Sequence, residues 1–135
     1  MEKNYYVCSV GDPENEHHYD KVNLTRCLEN DCYVLNEYAK RKGPIENIKI
    51  GDIILLKSQK HLIAYGLASS TLQKDKDLSE GEDWSYRIEI KKWIQGTHSS
   101  IHGIESAQVG GTNYDAVKKV SEEFGLKKMK EIATP

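Results

Sequence analysis

The 135-residue sequence predicts an α+β domain built on a strongly bent or closed β-sheet, a small barrel flanked by short helices. Three observations lead there. Two apolar runs, Ile53–Leu56 and Leu62–Ala68, follow each other across a short polar connector in the way of a hairpin. Further along, Trp84, Tyr86, Ile88 and Ile90 alternate with Ser85, Arg87, Glu89 and Lys91, the period of a half-exposed antiparallel strand. Helical spacing of apolar residues occurs on both sides of this strand-rich middle, in residues 21–42 and again after Gly110.

Taken in chain order, Tyr5-Tyr-Val-Cys-Ser9 is aromatic and β-prone and forms the expected first strand, stopped by Gly11-Asp-Pro13. A polar loop to about Asp20 follows. Val22, Leu24 and Leu28 suggest one helical face, and Tyr33, Leu35 and Tyr38 a short second helix ending at Gly43-Pro44. Gly51-Asp52 is a turn, and the four apolar residues after it predict a strand buried on both faces. In the next strand Ile63, Tyr65 and Leu67 share one face. The other face carries Leu62, Ala64, Gly66 and Ala68, small enough for close approach. Residues 70–83 lack periodicity and read as a long loop, and Trp93 falls out of phase with the strand before it, as at a bulge or a strand end. Gly110-Gly-Thr-Asn-Tyr-Asp115 then opens a helix, with Thr112 as its cap, a stripe of Tyr114, Val117, Val120 and Phe124, and Gly125 as its stop.

Composition bounds the function. Hydrophobic residues make up 38% and charged residues 30%, an ordinary globular balance, and no apolar run reaches the roughly 20 residues of a membrane helix. Met1-Glu-Lys-Asn-Tyr-Tyr has no signal-peptide pattern, and three cysteines (Cys8, Cys27, Cys32) are an odd number without scaffold spacing. A cytoplasmic protein with reduced thiols is expected. One domain covers residues 1–135, and the ending Glu131-Ile-Ala-Thr-Pro135 leaves room for continuation in a longer protein. The net charge of −2 excludes a globally basic surface, so any phosphate contact must come from a local patch.

Catalytic patterns are missing: there is no serine nucleophile elbow, phosphate-binding loop or zinc-peptidase helix, so neither an enzyme nor a cofactor is expected. Gly110-Gly-Thr112 offers backbone amides to an anion, but a plain loop-to-helix turn explains it as well. Asp75, Asp77, Glu80, Glu82 and Asp83 fit no calcium loop and read as solvated. Cys27 and Cys32, with His17 and His18 upstream, lack the second ligand pair of a structural zinc site; buried free thiols are the expected reading. What stands out is aromatic usage, with eight Tyr and two Trp against one Phe. Such rings join a stacking face to a polar tip, although core packing accounts for Tyr65 and Trp84 equally.

Ile48-Lys-Ile-Gly-Asp-Ile-Ile-Leu-Leu-Lys-Ser58 followed by Leu62-Ile-Ala-Tyr-Gly-Leu-Ala68 resembles the central hairpin of the PUA-like superfamily. That group includes EVE and YTH domains and the N-terminal reader domains of some McrB-type modification-dependent restriction GTPases. Trp84-x-Tyr-Arg-Ile-x-Ile is similar to the strand that follows their variable loop, and the opening strand also fits. The resemblance implies a nucleic-acid reader that flips a modified base into an aromatic pocket, as the DNA specificity module of a restriction system with an AAA+ GTPase and a nuclease as partners. Its base-binding residues would be Ser9, Tyr33, Asn36, Tyr65 and Trp84, with Asn36 suited to an adenine edge. Tyr33 stands near the position of a YTH cage aromatic, and the sequence has Tyr where a cage Trp is expected. Phosphate contacts would come from Lys40, Arg41, Lys42, Lys91 and Lys92, whose alternative is solvated surface. An RNA-binding module and a protein-interaction or small-ligand domain remain as alternatives.

Overall fold

The computed structural model describes residues 3–10, 27–35, 44–58, 61–74, 86–95, 104–105 and 117–133. Nine strands lie within them: β1 (Tyr5–Val10), β2 (Cys32–Leu35), β3 (Ile53–Ser58), β4 (His61–Leu67), β5 (Gln73–Lys74), β6 (Tyr86–Glu89), β7 (Ile94–Gln95), β8 (Ile104–Glu105) and β9 (Val117–Val120). A 3-10 turn spans Ile45–Asn47, and a C-terminal helix spans Glu122–Ala133. A six-stranded sheet runs β7-β4-β3-β1-β9, with β8 also on β4; a three-stranded sheet runs β2-β6-β5. Within the larger sheet β1 and β3 are parallel, and the other pairs are antiparallel. The two sheets are joined where Ala68 bridges Ile90. This is the α+β class the sequence predicts. Among the described residues the strands make two joined sheets and do not close into a barrel.

The predicted hairpin is present, and its turn has a physical explanation. Gly51 sits at φ +94°, a conformation glycine adopts without strain. Asp52 is buried, and its carboxylate accepts the backbone N–H of Lys49 at 2.8 Å and of Asn4 at 3.1 Å. One side chain therefore closes the turn and ties down the residue that leads into β1. The four apolar residues after it are buried, because β3 lies between β1 and β4 with a core on each of its faces.

The strand β4 departs from simple alternation. Leu56 pairs with Ala64 and Lys57 with Leu62, so Ile63 is an extra residue, a β-bulge. Ile63 and Ala64 both join the core between the sheets, while Leu62 joins the core under the helix. The expected face of Ile63, Tyr65 and Leu67 is thereby broken at its first member.

Two helical expectations are corrected. Cys32–Leu35 is strand β2, paired with β6, although residues 27–29 are helical. Helical spacing between Tyr33 and Leu35 is weak, and three consecutive buried residues, Cys32, Tyr33 and Val34, suit a short strand covered on both faces. Val117–Val120 is strand β9 rather than the middle of a helix, since it completes the edge of the sheet beside β1. The helix starts at Glu122, nine residues after Asn113, the first position behind the expected Thr112 cap. Ser121 caps it, its Oγ accepting the Phe124 N–H at 3.1 Å. Gly125 is inside the helix, where a Cβ would collide with the Tyr5 ring, and does not end it. Residues 70–83, read as loop, contain the short strand β5.

Two hydrophobic cores result. The inner one fills the space between the sheets and includes Tyr6, Tyr33, Ile54, Leu56, Ile88 and Trp93. The outer one, Val7, Leu55, Leu62 and Ile132, lies between the six-stranded sheet and the helix. Trp93 locks the inner core: its Nε1 donates to the carbonyls of Cys27 (2.9 Å) and Cys32 (3.3 Å), and its backbone N–H to Asp31 (3.2 Å). No helix among the described residues is long and apolar enough to cross a membrane.

Candidate functional site

The described residues among those singled out from the sequence, Ser9, Tyr33, Tyr65, Lys91 and Lys92, fall into two places. Tyr33 is in the inner core with no exposed surface, and its hydroxyl donates to the Ser9 carbonyl at 2.8 Å. Burial pushes its ionisation well above the usual tyrosine range, so it is a neutral phenol at any physiological pH. Ser9 is half-buried at the end of β1. Asn36, Trp84, Lys40, Arg41 and Lys42 lie outside the described residues. Leu35, the last residue of β2, pairs with Tyr86, the first of β6.

Tyr86, by its alternation an ordinary strand residue, is an aromatic at this edge. It is half-buried against the inner core, and the Lys74 ammonium lies 5.4 Å from its ring centroid. Lys74 also bonds Glu46 at 2.7 Å across the surface. Beside it, Arg87 grips Glu89 through two contacts, Nε to Oε1 at 2.6 Å and a second guanidinium nitrogen to Oε2 at 3.2 Å. Cys8, Cys27 and Cys32 are fully buried, and burial pushes the Cys8 thiol far up, which makes it unreactive.

The second place is the outer face of β4. Tyr65, Lys91 and Lys92 come together there around an open cleft of about 360 Å³. Ile53, Leu67, Ile94 and Met129 supply the rest of its apolar lining, and Lys3 is a third lysine on its wall. Tyr65 packs against the outer core, so the sheet stands between it and Tyr33. No local pattern in the sequence marks Lys3 and Met129, because they reach the cleft from opposite ends of the chain. Gly66 supports it from beneath: a Cβ there would stand 2.5 Å from Ile90 and 2.9 Å from the Lys92 carbonyl, so its absence lets the 90–92 segment lie against β4.

The arrangement of strands and helix is similar to that of solved YTH domains. The YTH domain of Mmi1, solved in complex with RNA, is similar at TM-score 0.58 and 16% identity, over 96% of this chain and 77% of that one. The YTH domain of Zygosaccharomyces rouxii MRB1, solved with N6-methyladenosine RNA, matches at TM-score 0.58 and 12% identity, over 98% and 88% of the two chains. Protein Atu2648 from Agrobacterium tumefaciens matches at TM-score 0.57 and 12% identity, over 98% and 96%. At these identities the likeness is one of fold. No protein-family model matches the sequence, and no curated protein does.

Proposed function

We propose that this chain is a nucleic-acid reader that captures one unstacked, modified base and carries out no chemistry on it. The observation that carries the reading is the fold, shared over nearly the whole chain with a YTH domain solved on N6-methyladenosine RNA. The base would enter at the edge where β1 and β2 end and β6 begins, near Ser9. Tyr33 acts there as a positioning residue, since its hydroxyl holds the Ser9 carbonyl. Stacking contributes roughly 1–3 kcal/mol per base, and a buried methyl adds about 0.8 kcal/mol. Methyl burial alone thus gives only about fourfold preference, and cheaper flipping of the modified base has to supply the rest.

RNA is the carrier that the RNA-bound YTH structures favour. Modified DNA, read for a restriction system with an AAA+ GTPase and a nuclease, is a second reading, since McrB-type reader domains belong to the PUA-like superfamily whose central hairpin the Gly51-Asp52 segment resembles. Fluorescence anisotropy at one fixed salt concentration tests both, using single-stranded RNA and DNA oligonucleotides with and without N6-methyladenine. The expected result is tighter binding of a methylated strand, with the preference reduced in Tyr33→Phe. Equal affinity for methylated and unmethylated strands refutes reading of this modification, and no binding at low salt refutes the nucleic-acid reading.

A further inference from the structure

We propose that the outer cleft is a second nucleotide site, separate from the edge at Ser9, which takes one unpaired nucleotide with its base on the apolar lining and its phosphate among the lysines. Three features support it. The cleft has a volume of about 360 Å³, at the lower end of small-molecule sites and sufficient for a nucleotide. Its lining is apolar apart from Lys3, Lys91 and Lys92, includes the half-exposed Tyr65 ring, and contains no carboxylate. Among the described residues none of these lysines has an ion-pair partner, whereas Lys74 and Lys128 each pair with a glutamate. In a chain of net charge −2, three unpaired ammonium groups around an apolar hollow select an anion with a flat or apolar body.

A neighbouring hollow adds direction. It has a volume of about 310 Å³, shares Lys3 with the cleft, and is lined by Asn4, Lys119, Ser121 and one acid, Glu122. A sugar-phosphate chain leaving the cleft past Lys3 enters this more polar hollow. The cleft has no side-chain amide or hydroxyl except that of Tyr65, so it holds a base by its face and not by its edge. It therefore contributes affinity and strand register, while discrimination is left to the other site.

The nucleotide can belong to a bound strand, which rests on the reading above, or it can be free. The test uses the full chain with methyl-labelled Ile, Leu and Met, titrated with a ten-nucleotide single-stranded RNA and separately with adenosine monophosphate. The Ile53, Leu67, Ile94 and Met129 methyl signals are expected to shift with the RNA. K91Q/K92Q is expected to weaken RNA binding roughly tenfold at 0.1 M salt and to make the log–log salt dependence shallower by about 1.4. RNA that binds without moving these signals, or without a change of slope in the double variant, overturns the inference and leaves the reader function standing. If RNA fails to bind but adenosine monophosphate moves the cleft signals, the cleft stands as a free-nucleotide site and the RNA reading falls. No response to either ligand overturns the cleft site and the RNA reading together.

Discussion

On its inner side the six-stranded sheet presents Tyr6, Cys8, Ile54, Leu56 and Ala64 to a second sheet, and all five are at most 2% exposed. On its outer side Val7, Leu55 and Leu62 disappear under the C-terminal helix, while Tyr65 and Leu67, further along β4, stay half-exposed beside the cleft. The difference comes from what covers each face. A sheet covers a sheet across its width, but a helix of 12 residues is about 18 Å long and shields only a stripe. Stability is thus concentrated inside, and open surface suited to a ligand is left outside.

The largest test of this contrast is Tyr33→Ala against Leu67→Ala. Removing the sealed Tyr33 ring is expected to cost about 3–5 kcal/mol in urea unfolding, and truncating Leu67 about 1 kcal/mol or less. Equal losses would break the comparison. Gly66→Ala probes the boundary, because its Cβ faces Ile90 and the Lys92 backbone; a loss of about 1–3 kcal/mol is expected from overpacking. A smaller gain is expected for Lys57→Met. Lys57 is only 5% exposed, and burial together with the nearby Lys118 charge lowers its pKa. The folded state therefore holds this proton less tightly than the unfolded one, and the cost of its charge is fully present below the lowered pKa. Met at this position should stabilise the protein by about 1 kcal/mol at pH 7. That gain should shrink as the pH rises through the lowered pKa toward the ordinary lysine value. A gain that is constant with pH would show that packing, and not charge, is responsible.

How much of this was legible in the sequence depended on the range of the interactions. The hairpin of β3 and β4 was readable because its signals are local: Gly51 for the turn, Asp52 for the clamp, and an uninterrupted apolar run between two neighbours. The strand β9 was not. Val117, Val120 and Phe124 have helical spacing, and only pairing with β1, more than a hundred residues away, makes a strand of the first two. Tyr33 was recognised as notable, but whether its ring lines a pocket or a sealed core depends on Ser9 and Ile88, both distant in sequence. In the cleft, Tyr65, Lys91 and Lys92 were picked out by residue type. Their separation from Tyr33 by the thickness of a sheet was hidden, since it depends on which way β4 faces.

That facing is fixed by a single inserted position. Ile63 shifts the phase of β4, so that Leu62 and Tyr65, three residues apart, emerge on the same side. Deleting Ile63 would keep the hydrophobic content of the strand almost unchanged and still reverse the orientation of one of its halves. Exchange of residue types along this strand is thus a mild perturbation, and a change in their number is a severe one. Homologues that keep the cleft should vary in the chemistry of β4 far more readily than in its length.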